Sequence, residues 1–215
     1  MSRSVFITGI GTGVGKTVTA ACVTEALQAD YWKPVQSGLD EGTDTETVQR
    51  LLTNKVSVCH PEAYRLKEPA SPHLAARLEE VIIEPERIYT QAAALQPAGR
   101  YLIMEGAGGL MVPLHENVFT LEVIKHLQIP VIIVAQNYLG SINHAMLTAK
   151  VLRYEAIPVA GWIFTGDYHT NESEVVRWSG IPQIGRIPFT SRVDAAFVKS
   201  CASELLPRLQ EIMEK

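Results

Sequence analysis

Five short apolar runs, separated by helical patterns, restrict what this 215-residue chain can fold into more than any other feature. They are Val5–Ile7, Tyr101–Met104, Val131–Val134, Val159–Phe164 and Ile184–Ile187, with Tyr31–Val35 as a weaker sixth. Runs of this length without sustained alternation suit strands buried on both faces, as in a parallel sheet. Between them, helical patterns cover Thr17–Ala29, Thr45–Leu52, Pro72–Glu80, Pro85–Leu95, Thr120–Leu127, Ile142–Tyr154, Glu172–Ser179 and Asp194–Met213. The alternation predicts an α/β fold: a doubly wound, mainly parallel sheet with helices on both faces and right-handed crossovers. No internal repeat, low-complexity tract or linker breaks the pattern, so residues 1–215 read as one domain.

Composition narrows the function classes. Hydrophobic residues at 47% and charged residues at 20% describe an ordinary soluble globular protein. A formal net charge of -4 supplies no general basic field for nucleic acid or an acidic membrane. No apolar run reaches membrane-spanning length, and the N-terminus lacks a signal-peptide core. Cys22, Cys59 and Cys201 are odd in number and far apart, which suits reduced thiols in a cytoplasmic protein. His60, His73, His115, His126, His144 and His169 show no metal-ligand spacing and read as structural.

The first apolar run leads into Thr8-Gly9-Ile10-Gly11-Thr12-Gly13-Val14-Gly15-Lys16-Thr17, in which every second residue from Gly9 to Gly15 is glycine. Glycine in an ordered element costs conformational entropy, so the cluster needs a reason. Its place between strand and helix supplies one. Free backbone N–H groups and the helix dipole favour an anion there, and small residues let the backbone wrap a phosphate. Gly13, Val14, Gly15 and Val18 would lie along a nucleotide. Lys16 would reach its outer phosphates, and the Thr17 hydroxyl would hold Mg2+. The strict spacing G-x-x-x-x-G-K-[ST] fails, because Ile10 stands where its first glycine belongs. Counted from Gly9, the loop is one residue longer. The stretch reads as a triphosphate cradle on a P-loop NTPase type of fold.

Two further clusters carry charge. Lys33, in Tyr31-Trp32-Lys33-Pro34-Val35-Gln36-Ser37-Gly38, can stabilise a transferring phosphoryl group or an anionic intermediate, and Ser37 can donate to a substrate. The alternatives are a solvated lysine and a turn serine. Glu105 closes an apolar strand and precedes Gly106, Gly108 and Gly109. Ligands of open α/β sheets bind outside the carboxyl ends of strands, so Glu105 is placed for Mg2+. Asp44 is a further carboxylate candidate that, taken alone, reads as a helix N-cap.

Taken in order, these motifs resemble the dethiobiotin synthetases, ATP-dependent ring-closing enzymes. The likeness also rests on Ser71–Ala76, on Leu139–Ala149 (LGSINHAMLTA), on Ala160–Phe164 and on Gly185–Phe189. The long phosphate loop is the form that family uses. The resemblance implies a reaction: 7,8-diaminononanoate, CO2 and ATP give dethiobiotin through a carbamate and a carbamic-phosphoric anhydride. It implies Lys16 and Lys33 beside the reacting charge, Thr17, Asp44 and Glu105 around Mg2+, and Thr12 and Ser37 on the carbamate or the diamine. It also implies a homodimer, in which Gly140, Ser141, Ile142 and Asn143 reach the neighbouring subunit's substrate carboxylate from a helix start.

Two positions depart from the family pattern. Gly11 stands where an acidic or amide residue is usual. Thr165 and Gly166 stand where an asparagine reads the adenine edge, so base selectivity is expected to be relaxed. Asp167, Asn171, or apolar and backbone contacts around Ile187, Pro188 and Phe189 are the remaining ways to hold the base. Two other readings stay open on the residues. One is an amidating ligase of the same superfamily, for whose glutaminase domain the chain has no room. The other is a MinD-type nucleotide switch, whose loop carries an extra early lysine; here Lys16 is the loop's only one.

Overall fold

The computed structural model describes residues 3–96, 99–168 and 171–213. His169 therefore lies outside the described residues. In chain order the elements are β1 (Ser4–Gly9), α1 (Lys16–Leu27), β2 (Asp30–Trp32), β3 (Val35–Ser37), α2 (Asp44–Leu51), β4 (Cys59–His60) and β5 (Tyr64–Leu66). They continue with α3 (Pro72–Leu78), α4 (Pro85–Ala94), β6 (Leu102–Glu105), β7 (Pro113–His115), β8 (Val118–Phe119), α5 (Thr120–Leu127) and β9 (Val131–Gln136). Last come α6 (Ser141–Tyr154), β10 (Val159–Thr165), α7 (Glu172–Ser179), β11 (Gln183–Ile187) and α8 (Ala195–Met213).

Among the described residues seven strands form one sheet in the order β11-β10-β9-β1-β6-β2-β4, and every pair in it is parallel. The apolar runs occupy its centre. Every residue of β1 and β6 is buried, as two-sided cover by helices requires. From β1 the chain winds outward through β2 to β4, returns to β6, and then winds the other way through β9, β10 and β11. With right-handed crossovers that reversal places helices on both faces. On one face α1 packs along α8 and α2; elsewhere α4 meets α5 and α6 meets α7. The reversal also opens a crevice beyond the carboxyl end of β1, where such folds bind ligands.

Each predicted helix forms, with ends within about two residues of its pattern. The weaker strand does not form as one piece. Tyr31–Val35 breaks at Lys33-Pro34 into β2 in the main sheet and β3, which pairs with β5 in a small separate sheet. Pro34 has no N–H to give a ladder, so the chain can leave the sheet there. Asp44 is not the N-cap of α2. Thr43 is: its hydroxyl accepts from the Glu46 N–H at 3.1 Å, and the Glu46 carboxylate accepts from the Thr43 N–H at 2.9 Å. That reciprocal box frees the Asp44 side chain for another task.

Candidate active site

The glycine-rich loop runs from the end of β1 to the start of α1. Gly15 stands just before the helix at φ 85°, a left-handed conformation that favours glycine, and a Cβ there would press to 3.2 Å from Thr165 Cγ2. The Thr165 hydroxyl in turn donates to the Val14 carbonyl at 2.9 Å. The loop is thus clamped against the end of β10. Lys16 folds back over it and donates to the Gly11 carbonyl at 2.9 Å. Burial pushes the Lys16 ammonium down to about 8; Lys33 adds to the fall, while Glu105 and Asp44 oppose it.

Four charged or polar groups meet beside this lysine. The Thr17 hydroxyl lies 2.9 Å from Asp44 Oδ1 and 2.9 Å from Glu105 Oε1. Lys33 pairs with Asp44 and lies 3.6 Å from Glu105 Oε1. Desolvation alone would lower the Lys33 ammonium, but Glu105 and Asp44 outweigh it and raise it. Burial raises the Glu105 carboxyl, against the charge of Lys33 and the hydrogen bonds from Tyr31 and Thr17. Tyr31, fully buried, donates to Glu105 Oε2 at 2.7 Å.

Lys16, Thr17, Lys33, Asp44 and Glu105 line a cleft of about 730 Å3 that also takes in Thr12, Gly13, Gly15, Val18 and Ser37. Among the described residues the buried Ser37 hydroxyl has no hydrogen-bond partner, which leaves it for a ligand. A second pocket of about 210 Å3 adjoins the first at Gly13, Gly15 and Val18, and adds Val14, Thr165 and Pro188. The structure therefore brings together Thr12, Lys16, Thr17, Lys33, Ser37, Asp44 and Glu105, and sets Val14, Thr165 and Pro188 one step along the same groove. Gly140, Ser141, Ile142 and Asn143 lie at the start of α6 and line neither cavity of their own chain. Asp167 and Asn171 do not line the second pocket. Asp167 accepts instead from Arg186 and from the Phe189 N–H, each at 3.3 Å.

Sequence reasoning passed over three residues here. Tyr31 reads as a strand aromatic, and nothing in its neighbourhood signals a link to Glu105. Gln36 lines the cleft; its Oε1 accepts from the Asp44 N–H at 3.1 Å and its Nε2 donates to the Ser37 and Gly38 carbonyls. It ties β3 to the start of α2. Gln136 lines the second pocket. Both glutamines sit at or near the carboxyl end of a strand, which was the available signal.

Among known proteins, a family model described as an AAA domain matches residues 3–196. The ATP-dependent dethiobiotin synthetase BioD of Agrobacterium fabrum is 48% identical over 189 residues, 87% of either chain. The chain belongs to the ATP-dependent dethiobiotin synthetases. The member from Rhodopseudomonas palustris strain TIE-1 is 41% identical over 210 residues, 97% of either chain. Solved structures widen the fold family without narrowing the chemistry. The cell division ATPase MinD of Pyrococcus furiosus aligns with a TM-score of 0.62 at 13% identity, over 95% of this chain and 98% of that one. A ParA family ATPase from Chlorobium tepidum aligns with a TM-score of 0.57 at 16% identity, over 100% and 98%. At such identities the shared property is the fold. The two alternatives left open by the sequence, a nucleotide switch and an amidating ligase, give way to the synthetase family. Among the described residues no helix is long and apolar enough to cross a membrane.

Proposed function

We propose that this chain joins CO2 to 7,8-diaminononanoate and closes the ureido ring of dethiobiotin at the expense of ATP. The observation that carries this reading is the 40–48% identity to dethiobiotin synthetases over most of their length. The chemistry of the cleft supports it. One substrate amine takes up CO2 as a carbamate. A carbamate oxygen attacks the γ-phosphorus, the bond to the ADP oxygen breaks, and a carbamic-phosphoric anhydride forms. The second amine attacks the carbamoyl carbon, the bond to the phosphate oxygen breaks, and the ring closes.

Such a sequence needs positioning and charge neutralisation more than a covalent catalyst. Lys16 and Lys33 flank the γ-phosphoryl group and the carbamate. Thr12 and Ser37 hold the carbamate or the diamine. Gly13, Val14, Gly15 and Val18 carry the nucleotide towards the pocket at Thr165 and Pro188. Thr17, Asp44 and Glu105 would hold Mg2+, and a hydroxyl flanked by two carboxylates is a hard-oxygen donor set that fits it. Among the described residues there is no group of three His, Cys, Asp or Glu side chains suited to a metal, so phosphate and water would complete its shell. Bound there, Mg2+ would supply positive charge to the phosphate oxygens of the nucleotide.

The substrate's carboxylate falls to a second copy of the chain. Gly140, Ser141, Ile142 and Asn143 open α6 beside Leu139, which is 93% exposed. A groove of about 280 Å3 lined by Ile10, Met111 and Leu147 runs along the same helix, with Met111 56% and Leu147 54% exposed. An apolar face of that kind supports a homodimer in which each α6 start offers N–H groups to the partner's cleft. A cytoplasmic setting suits its three free thiols.

The test is turnover. Protein, diaminononanoate, bicarbonate, Mg2+ and ATP should yield dethiobiotin by mass spectrometry, one per ADP formed. ATP hydrolysis that proceeds at the same rate without the diamine would favour the switch.

A further inference from the structure

We infer that Gln136 reads the edge of the nucleotide base, an inference that rests on placing the base in the pocket beside Pro188. Among the described residues, three polar side chains line that pocket: Gln136, Thr165 and Thr190. Two are already engaged. Thr165 donates to the Val14 carbonyl, and Thr190 donates to the Arg192 carbonyl while accepting from the Arg192 N–H. The family's reading position, at the end of β10, is thus occupied by a hydroxyl that serves the phosphate loop and by a glycine.

Gln136 fills the gap from the adjacent strand. It ends β9 and stands in register with Thr165, which ends β10. Gly166 follows at φ 78°, and a Cβ there would lie 3.6 Å from both Cγ and Nε2 of Gln136. The amide therefore lies across the bare Cα of Gly166, at ordinary contact distance from where a Cβ would stand. The Gln136 side chain is half-buried and makes no hydrogen bond with the described residues.

A primary amide presents one donor and one acceptor, and a half-turn about its last bond exchanges them. Adenine offers N6–H beside N1, and cytosine offers N4–H beside N3. Guanine offers the reverse order, O6 beside N1–H. One amide on a rotatable arm pairs with all three. The relaxed selectivity expected from the missing asparagine thus has a structural origin: the base is read by a group that adapts.

The experiment compares wild type, Gln136→Leu and Gln136→Glu with ATP, GTP and CTP, and uses tripolyphosphate as a ligand without a base. Dissociation constants from calorimetry accompany KM and kcat, so the outcome does not depend on ring closure being the reaction. In Gln136→Leu, binding of all three nucleotides should weaken about tenfold, with kcat within twofold and tripolyphosphate binding unchanged. In Gln136→Glu, two acceptor oxygens face guanine's N1–H and 2-amino donors but clash with adenine N1. Its preference for GTP over ATP should rise at least tenfold above wild type. ATP binding within twofold of wild type in Gln136→Leu overturns the assignment. So does parallel weakening of ATP and tripolyphosphate, which would make Gln136 a support of the phosphate loop. A wild type that binds nucleotides normally but forms no dethiobiotin defeats the proposed reaction and leaves the base assignment standing.

Discussion

Replacing Lys33 with Met should destabilise the protein, and the loss should shrink in acid. Lys33 is 6% exposed and stands between Asp44 and Glu105. Methionine keeps much of its volume and removes its charge. Two carboxylates then face each other, with the Glu105 side chain 1% and the Asp44 side chain 28% exposed. Removing one partner of a buried pair costs about 3–5 kcal/mol, and water at Asp44 draws this site to the lower end. Protonation sets a second limit. A carboxyl with an ordinary pKa of about 4.3 takes up a proton at pH 7 for about 3.7 kcal/mol, so a larger penalty relieves itself that way. We expect about 3 kcal/mol at pH 7, a fall in Tm of about 6–12 °C for a chain of this size.

The sign of the pH dependence follows from the same residues. Burial already raises the Glu105 carboxyl and Lys33 opposes that rise, so losing Lys33 raises it further. The folded variant then binds more protons than its unfolded chain, and its stability grows as pH falls. At pH 5 the protonation limit is only about 1 kcal/mol, and the deficit should close to about 2–4 °C. Calorimetric melts at pH 7 and pH 5 decide it, with Lys33→Met/Glu105→Gln as the rescuing double variant. A Lys33→Met protein that melts within about 2 °C of wild type at pH 7, or a gap that stays open at pH 5, refutes the reasoning.

Other outcomes test neighbouring parts. Glu105→Gln should raise the Mg2+ concentration needed for half-maximal turnover about tenfold or more, since an amide is a poorer ligand for a hard cation; an unchanged titration makes Glu105 purely structural. Gly11→Ala should stabilise by about 0.4–1 kcal/mol, because a Cβ there meets nothing within 4 Å and Gly11 is not among the positive-φ glycines; a lower Tm contradicts the loop conformation. Lys16→Ala subunits mixed with subunits altered at both Ser141 and Asn143 should regain activity, since a mixed two-fold dimer carries one undamaged site; no recovery despite subunit exchange argues for sites built within one chain.

Most of the sheet and all the described helices could be read from apolar period and spacing, because the strands that matter are buried on both faces and carry unbroken apolar runs. What escaped was set by tertiary contact. Cys59–His60 is a strand only because β2 lies beside it, and Pro113–His115 pairs with Val118–Phe119 without a strong local signal. Pro34 sits in an apolar stretch that looks like one strand and is two. In the site, the loop announced Lys16 and Thr17, and strand ends announced Glu105. Asp44 was ambiguous because Thr43 and Asp44 are both good caps, and only the Glu46 partner of Thr43 resolves it. Thr165 stood where a base reader was expected, and its bond to Val14 spans 151 residues of sequence. Gln136 had only its place at a strand's carboxyl end to signal it, because its task depends on what Thr165 and Gly166 leave undone.

The central claim is that phosphate departs from a carbamate and not from attack by water, and oxygen labelling tests it directly. The protein is given diaminononanoate, ATP, Mg2+ and CO2 carrying 18O, in unlabelled water, for a time short enough that exchange through hydration is small. In the proposed sequence the carbamate holds two labelled oxygens. One attacks the γ-phosphorus and leaves with it; the other stays in the ureido carbonyl. Mass spectrometry should therefore find one 18O in each phosphate released and one in each dethiobiotin. Phosphate free of label would show that water cleaves ATP, and would contradict the account.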